Sequence, residues 1–261
     1  MSITIENEGR VARITGGTRG IGRGIAEAFL ASGAVVWVCG RKAPESLPEV
    51  AGRRARFVAC NVRDAEEVDR MVTAIVAESG RLDVLINNAG GAPFTDAATA
   101  SPRFTASIID LNLTSAIHCA QRVNAQMQQQ PEGGQIVSIA SVSGRRPSPG
   151  TAAYGAAKAG LLSISTSLAV EWAPKVRLNC VTAGLIETEL AELHYGDAAG
   201  VARVAATVPL GRMGSPADIA QACLYLCSPL ASYVSGAELV VHGGGERPAF
   251  LDAGAANETP S

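Results

Sequence analysis

Short apolar runs alternate with helix-length segments along almost the whole chain, and this alternation most constrains the fold. Strands that are separated by helix-length crossovers form parallel βαβ units with right-handed connections. The pattern predicts an α/β fold, a doubly wound parallel sheet of about seven strands with helices on both faces. The predicted strands are Val11–Thr15, Ala34–Cys39, Arg56–Cys60, Val84–Asn87, Gln135–Ile139, Arg177–Val181 and Glu238–Val241. The predicted helices are Gly20–Ala31, Ala65–Ser79, Ala106–Gln129, Ala152–Trp172 and Pro216–Leu226.

No repeat or linker divides the chain, and its 261 residues suit one large α/β domain. Hydrophobic residues make up 47% of the sequence and charged residues 18%, which is enough apolar material for a sizeable core. We therefore expect residues 1–261 to form a single domain. The alternation is interrupted at about 187–213, where we predict a mobile substrate flap, and residues from about 245 to 261 are predicted to be a tail.

A glycine-rich stretch, TGGTRGIG, follows the first strand and opens the first helix at Thr15–Gly22. Glycine permits a tight turn there and lets the backbone approach a pyrophosphate closely, while the helix N-terminus supplies oriented N–H groups. Glycine also marks ordinary turns, so the stretch alone is weak evidence. In the first βα turn of a βαβ series it predicts a dinucleotide site of the Rossmann type.

The end of the second strand indicates which dinucleotide binds. An acidic side chain there would accept hydrogen bonds from the adenosine ribose of NAD, but the chain has Cys39-Gly40-Arg41-Lys42. Arg41 and Arg19 are suited to clamp the 2′-phosphate of NADP, because a guanidinium offers a planar fork to phosphate oxygens. The alternative is two solvated arginines. We favour NADP over NAD.

Tyr154 and Lys158 lie four residues apart in a predicted helix, and Ser141 lies thirteen residues before the tyrosine. That spacing puts phenol and ammonium on one helix face. A cation beside a phenol lowers a pKa that starts near 10, so the tyrosine can exchange protons near neutral pH. The pair indicates alcohol–carbonyl chemistry, although such a pair can also be two amphipathic side chains on a solvated face.

Together these motifs resemble the short-chain dehydrogenase/reductase family. The resemblance rests on TGGTRGIG, Asn87-Asn88-Ala89-Gly90, Asn112, Ser141 and Tyr154-x3-Lys158, and it spans about Val11 to Gly244 in the family's order. Within the family, the chain is most similar to the 3-oxoacyl-carrier-protein reductase type, including the closing VSGAELVVHGG. The enoyl reductase branch spaces its tyrosine and lysine more widely, and the sugar epimerase branch carries a longer C-terminal domain.

The resemblance implies four catalytic residues. Tyr154 would be the general acid in reduction and the general base in oxidation. Lys158 would lower its pKa and hydrogen-bond the nicotinamide ribose, and Ser141 would hydrogen-bond the substrate carbonyl. Asn112 would hold a water that links Lys158 to solvent; alternatively it is a core amide that bends a helix.

The resemblance also implies the cofactor contacts. Two departures from the family pattern matter: Asn61 stands where an aspartate is common, and Ala183-Gly184 replaces Pro-Gly, which puts rigidity beside the nicotinamide in question. The predicted cofactor-binding residues are Gly16, Thr18, Arg19, Ile21, Gly22, Arg41, Asn61, Val62, Asn88, Ala89, Gly90, Tyr154, Lys158, Ile186 and Thr188.

The predicted function is therefore an NADP-dependent oxidoreductase that transfers hydride between the nicotinamide and a ketone or secondary alcohol. The alternative is a nucleotide-binding or scaffolding protein that kept this fold and lost catalysis. The loops that would shape the substrate pocket offer apolar and polar side chains without defining the substrate; they are Phe94, Leu190, Leu193, His194 and Tyr195.

Composition argues against several other partners. The net charge of −2 and dispersed arginines give no reason to expect nucleic acid or a membrane surface. The start MSITIENEGR has no secretory leader, and six scattered cysteines suit reduced, buried thiols, so we expect a cytoplasmic protein without a metal site. The resemblance implies a homotetramer. The segment GGGERPAFL either docks on a neighbouring subunit or is a plain tail.

Overall fold

The computed structural model of the protein describes residues 4–189, 191 and 195–249. Seven strands form one parallel sheet in the order β5-β2-β1-β6-β7-β8-β9, which confirms the predicted doubly wound arrangement. A two-stranded antiparallel ribbon, β3 and β4, stands apart from it. The strands are β1 (Val11–Thr15), β2 (Val35–Gly40), β3 (Glu49–Val50), β4 (Arg53–Arg54), β5 (Arg56–Ala59), β6 (Val84–Asn87), β7 (Gly134–Ser141), β8 (Val176–Ala183) and β9 (Glu238–Val241).

The crossovers carry the helices. They are α1 (Gly20–Ala31), α2 (Ala65–Ser79), α3 (Pro102–Ile109), α4 (Ser115–Met127), α5 (Ala152–Glu171), α6 (Ala198–Ala206) and α7 (Pro216–Cys227). The sheet order reverses between β1 and β6, so the carboxyl ends of these strands open a crevice at the place where doubly wound proteins bind ligands.

Side chains alternate between the two faces of the sheet, as the period of a strand requires. In β1, Ala12 and Ile14 enter the hydrophobic core that includes Ile25 of α1 and Ile219 of α7. Val11 enters the opposite core, formed with α2 and α4. All five residues of β1 are buried, which fits a central strand covered on both sides.

Helix starts follow their capping residues in three places. The Asp64 carboxylate accepts the backbone N–H groups of Glu66 and Glu67 at the start of α2, and Ser215 forms a capping box with Asp218 ahead of α7. The predicted helix Ala106–Gln129 was wrong at its start. Ser101 accepts the Phe104 N–H and Pro102 takes the first turn, so α3 begins four residues earlier.

The predicted flap is held together at its two ends by a β-bridge, and it contains the helix α6. Ile186 pairs with Gly214 in an isolated bridge, which joins the two ends of residues 187–213. Asp197 caps α6 through the Gly200 N–H at 2.9 Å. Leu190, Leu193 and His194 lie outside the described residues, as do Phe250 and Leu251 of the tail.

Among the helices that the structure describes, none combines the length and apolar character needed to cross a membrane.

Candidate active site

The glycine-rich turn joins β1 to α1 at the head of the crevice. Gly16 and Gly20 adopt positive φ values of 63° and 52°, a conformation that glycine adopts without strain. The Thr15 hydroxyl oxygen accepts the N–H groups of Asn88 and Ala89, both at 2.9 Å, so the ends of β1 and β6 are tied together. This tie holds Asn88-Ala89-Gly90 beside the turn.

The turn fits a phosphate group. A Cβ on Gly22 would lie 2.3 Å from the Gly16 carbonyl oxygen, so only glycine allows the backbone to close this tightly. Arg19 at the N-cap of α1 makes no side-chain cap bond. The Gly20 N–H instead donates to the Glu189 carboxylate at 2.9 Å. A carboxylate from the flap thus stands where the helix N-terminus would hold a phosphate oxygen.

A cleft of about 1100 Å³ runs from this turn to the end of β7. It brings together every predicted cofactor-binding residue and three of the four predicted catalytic ones. Those lining it are Gly16, Thr18, Arg19, Ile21, Gly22, Arg41, Asn61, Val62, Asn88, Ala89, Gly90, Ser141, Tyr154, Lys158, Ile186 and Thr188. A dinucleotide fits this volume and shape.

Positive charge gathers at the end of the cleft formed by β2 and β5. Arg19 and Arg41 are exposed, and within the described part of the chain neither guanidinium forms a hydrogen bond or ion pair. Sequence reasoning missed Arg63, which also lines the cleft. Its Nε and its backbone N–H approach the Asn61 side-chain oxygen at 3.4 Å, so that oxygen, expected to face adenine, is engaged within the protein.

Tyr154 and Ser141 meet at the other end of the cleft, where α5 begins and β7 ends. Their hydroxyls lie close enough to interact, and the Ser141 hydroxyl oxygen accepts the Ser143 N–H at 3.2 Å. Burial raises the pKa of Tyr154, and the interaction with Ser141 only partly opposes this rise. The sequence predicts that Lys158 lowers this pKa. In the structure burial dominates instead, so the phenol is protonated at neutral pH.

Lys158 is buried beneath this pair, with 3% of its surface exposed. Its ammonium donates to the Ile139 carbonyl at 2.7 Å and lies 5.5 Å from the centre of the Tyr154 ring. Burial lowers the Lys158 pKa from 10.5 to about 8. The charge therefore lies behind the phenol ring and is still present at pH 7.

Asn112 lies behind the cleft in a single π-helical turn, Asp110–Thr114, between α3 and α4. Its side-chain oxygen accepts the Gly91 N–H at 2.7 Å, and its amide donates to Gly91 and Ile108 carbonyls. A Cβ on Gly90 would approach both the Asn112 oxygen and the Lys158 ammonium, so the two residues flank Gly90. The π-helical turn matches the alternative structural role and also places Asn112 near Lys158.

The Ala183-Gly184 departure is compensated by the sheet. Ala183 pairs with Ser141 on one side and Val241 on the other. The Gly184 N–H donates to the Val241 carbonyl at 2.9 Å, and a Cβ on Gly184 would lie 2.7 Å from the His242 Cα. Strand pairing on both sides therefore supplies rigidity that a proline would otherwise give.

Comparisons with known proteins agree with this geometry. A family model described as enoyl-(acyl carrier protein) reductase matches residues 16–246. The chain is 36% identical over 242 residues to the 3-oxoacyl-[acyl-carrier-protein] reductase of Chlamydia muridarum, covering 90% of this chain and 96% of the relative. It is 35% identical to the corresponding Escherichia coli protein, covering 91% and 97%.

Among solved structures, the ligand-free aldohexose dehydrogenase of Thermoplasma acidophilum superposes with a TM-score of 0.85 at 29% identity, covering 97% of this chain and 98% of that one. The fold, the cleft and these relatives define an NAD(P)-dependent oxidoreductase. The chain belongs to the short-chain dehydrogenase/reductase family.

Proposed function

We propose that this protein is an NADP-dependent enzyme that interconverts ketones and secondary alcohols, with Tyr154 as its general acid and base. The observation that carries the proposal is that Ser141 and Tyr154 line the cleft together, with the Lys158 ammonium 5.5 Å from the centre of the Tyr154 ring. The bound nicotinamide supplies or accepts the hydride. The residues around it must hold the substrate oxygen and move one proton.

Each residue has a separate task in reduction. The Tyr154 phenol is protonated at neutral pH and so carries the proton that the developing alkoxide needs. The Ser141 hydroxyl donates a hydrogen bond that places the carbonyl oxygen next to the phenol. Once the proton has moved, the Lys158 ammonium stabilises the phenolate. In oxidation the same groups act in reverse, with the phenolate as the base.

The cleft supports NADP over NAD. Arg19 and Arg41 offer uncompensated positive charge at the end of the cleft where β2 stops, and Arg63 adds a third guanidinium nearby. A carboxylate that would hold the ribose hydroxyls of NAD is missing from Gly40-Arg41-Lys42. The 2′-phosphate of NADP is the group that such guanidinium forks recognise.

An apolar cavity of about 330 Å³ adjoins the proposed reacting centre. Tyr154 and Thr151 line both this cavity and the main cleft. Phe104 and Ile108 of α3 form part of its wall. The cavity suits an apolar substituent next to the reacting carbonyl, as in the 3-oxoacyl thioesters that the relatives' names indicate.

The deciding experiment is a coupled assay of NADPH oxidation across ketone classes, with acetoacetyl thioesters included and Tyr154→Phe as the control. We expect turnover with NADPH to exceed that with NADH. Tyr154→Phe should lower kcat by about 10²- to 10⁴-fold while NADPH affinity changes little, because the phenol moves the proton whereas the many other residues that line the cleft also hold the cofactor. NADPH binding without turnover of any ketone or alcohol would favour a silent nucleotide-binding protein. Near-normal turnover by Tyr154→Phe would refute its role.

We further propose a cytoplasmic homotetramer in which each chain is a single domain. The described start of the tail supports a contact within the chain, since the Arg247 N–H donates to the Thr207 carbonyl at 3.1 Å and Glu246 pairs with Arg146. Deletion of residues 250–261 tests whether the remainder of the tail contributes to assembly.

A further inference from the structure

An arginine stands at the reacting end of the cleft, and the mechanism proposed above does not use it. Arg146 lines the cleft together with Ser141 and Tyr154. It follows the short 3₁₀ turn Val142–Gly144, and its backbone N–H donates to the Val142 carbonyl at 3.1 Å, so its side chain starts from a fixed point. That side chain is 38% exposed. Arg146 is therefore a cation that a substrate in the cleft can contact.

A carboxylate of the protein itself occupies the Arg146 guanidinium. The Nε donates to Glu246 Oε1 at 3.1 Å and the Nη2 donates to the same oxygen, so two donors of the guanidinium fork converge on one carboxylate oxygen. The Nη1 donates to the Pro147 carbonyl at 3.0 Å. Both charged side chains of the pair are about one-third exposed. Ion pairs this exposed contribute little to stability because water and salt screen them, so an external carboxylate can replace Glu246.

Backbone hydrogen bonds to the flap hold Glu246 in this position. The Gly243 carbonyl accepts the Leu210 N–H at 3.1 Å, and the Arg247 N–H donates to the Thr207 carbonyl at 3.1 Å. Glu246 lies between these two bonds in the chain. Its carboxylate therefore joins the segment after β9 and the flap to the segment after β7, and these are the segments that surround the substrate end of the cleft.

Tyr195 connects the ion pair with the reacting centre. Its side chain lines the same cleft as Tyr154. Burial raises the pKa of Tyr195, the charge of Glu246 adds to this rise, and the charge of Arg146 opposes it. Tyr195 in turn adds to the rise that burial imposes on the pKa of Tyr154. Each group lies within electrostatic reach of the next, which places the Arg146–Glu246 pair near the proposed proton donor.

The two substituents of a ketone would meet different surroundings in this cleft. The apolar cavity of about 330 Å³ adjoins Tyr154 and is walled in part by Phe104 and Ile108. Arg146 lines the main cleft and not this cavity, so a second substituent in the main cleft would meet a guanidinium, whose planar fork matches a carboxylate. The end proposed for the 2′-phosphate holds the other arginines of the described lining, Arg19, Arg41 and Arg63.

We propose that Arg146 recognises the carboxylate of an oxo-acid substrate, and that Glu246 occupies this position until the substrate arrives. The proposal rests on the proposed function, since it assigns a substrate class to the same reacting centre. The substrate carbonyl lies at Ser141 and Tyr154, its apolar part enters the 330 Å³ cavity, and its carboxylate replaces Glu246 on Arg146. Arg146 then keeps a partner of the same charge, and the released Glu246 enters water, so the exchange leaves no buried ion unpaired. A neutral ester cannot replace Glu246 in this way.

The test compares oxo acids with their neutral esters, using the full chain and NADPH. The substrates are 2-oxo-, 3-oxo- and 4-oxopentanoate, each assayed beside its methyl ester, with an acetoacetyl thioester as a further neutral substrate. We expect kcat/KM for at least one acid to exceed that of its ester about 10- to 100-fold, the effect of one charge-assisted contact. The difference should lie mainly in KM, because Arg146 binds the substrate and moves no proton. Arg146→Gln should abolish the preference and keep turnover of the ester, which also shows that the variant folds.

The neighbouring arginine supplies the matched control. Arg145 pairs with Glu238 and is not part of the described cleft lining, so Arg145→Gln should keep the preference for the acid. Glu246→Gln should lower KM for the preferred acid about two- to fivefold, because it removes the competing charge of a weak ion pair. Glu171→Gln, at an exposed position of α5, should leave KM unchanged.

Three outcomes would overturn the proposal and leave the proposed function standing: turnover of the esters without preference for any acid, a preference that survives Arg146→Gln, or an equal loss in Arg145→Gln. If neither acids nor esters were turned over, the proposed function would be wrong. Calorimetric titration of the three acids into wild-type protein and Arg146→Gln would then decide the carboxylate site alone. Binding at least about tenfold weaker to the variant would support the site, and equal binding, or none to either protein, would overturn it.

Discussion

Lys158 illustrates how burial gives one side chain its chemical character. The ammonium has the Ile139 carbonyl as a partner but no carboxylate in contact within the described structure, so desolvation lowers its pKa to about 8. Folding therefore favours the neutral amine relative to the unfolded chain, whose lysine keeps its ordinary pKa of 10.5. The enzyme retains this charge close to Tyr154 at a cost to stability.

This cost predicts a specific pH dependence of stability. Below pH 8 the lysine is charged in both the folded and the unfolded chain, so the native fold bears the whole cost of burying this charge. Between about pH 8 and 10.5 the folded protein binds fewer protons than the unfolded one, so the free energy of unfolding should rise with pH, by up to about 3 kcal/mol. Lys158→Met should remove this rise in urea titrations, whereas Lys175→Met, at an exposed position, should keep it. If the free energy of unfolding rose equally with pH in both variants, the rise would not come from Lys158.

Arg41 gives the second prediction at this scale. Its guanidinium is exposed beside the cleft, so Arg41→Ala should change cofactor choice more than folding. Loss of one charge-assisted phosphate contact, about 1.5–3 kcal/mol, should lower kcat/KM for NADPH about 10- to 100-fold and leave the value for NADH nearly unchanged. Arg70→Ala is the control, because Arg70 is an exposed arginine of α2 that does not line the cleft. If kcat/KM fell equally with NADPH and NADH, Arg41 would not recognise the 2′-phosphate of NADPH.

At the scale of elements, the flap carboxylate of Glu189 and a phosphate of the proposed cofactor would compete for the N-terminus of α1. The Gly20 N–H donates to Glu189, so the flap carboxylate occupies a donor that a phosphate of the proposed cofactor would use. Glu189→Gln removes the charge that the helix dipole attracts, a contribution of about 0.3–1 kcal/mol. NADPH should therefore bind about two- to fivefold more tightly, as measured by fluorescence titration. Glu187→Gln, two residues away and exposed, should not change the affinity; an equal gain there would point to net charge alone.

The strands of the main sheet could be predicted from the sequence because strands buried on both faces of a parallel sheet consist of short, nearly continuous apolar runs. The start of α3 could not, since Ser101-Pro102 lies in a polar stretch where capping, not periodicity, sets the boundary. The Tyr154–Lys158 spacing indicated the site, yet the raised pKa of Tyr154 depends on burial that the spacing does not contain. The Glu189–Gly20 contact joins positions 169 residues apart, for which no local pattern exists.

At the scale of the whole molecule, α5 connects the active site to the proposed assembly. One face of this helix carries Tyr154 and buried Lys158, while its outward face is lined by small or apolar residues without charge up to Val170. The exposed residues on this face are Ala152, Ala156, Ala159, Ser163, Thr166, Ser167 and Val170, with Val170 80% exposed. Small side chains let two helices approach closely, so this face suits a second copy of the same helix.

The last prediction tests that face. Wild-type protein at micromolar concentration should scatter light with four times the chain mass of 26.7 kDa. Ser163→Arg places a long cation in the middle of the uncharged stripe, where a symmetric contact would bring two guanidinium groups together without a counterion, so the mass should fall to that of a dimer or monomer. Ala74→Arg, at an exposed position of α2, should leave the mass unchanged. Because the same helix positions Tyr154, the smaller species should also lose turnover; a tetramer that survives Ser163→Arg would place the contact elsewhere.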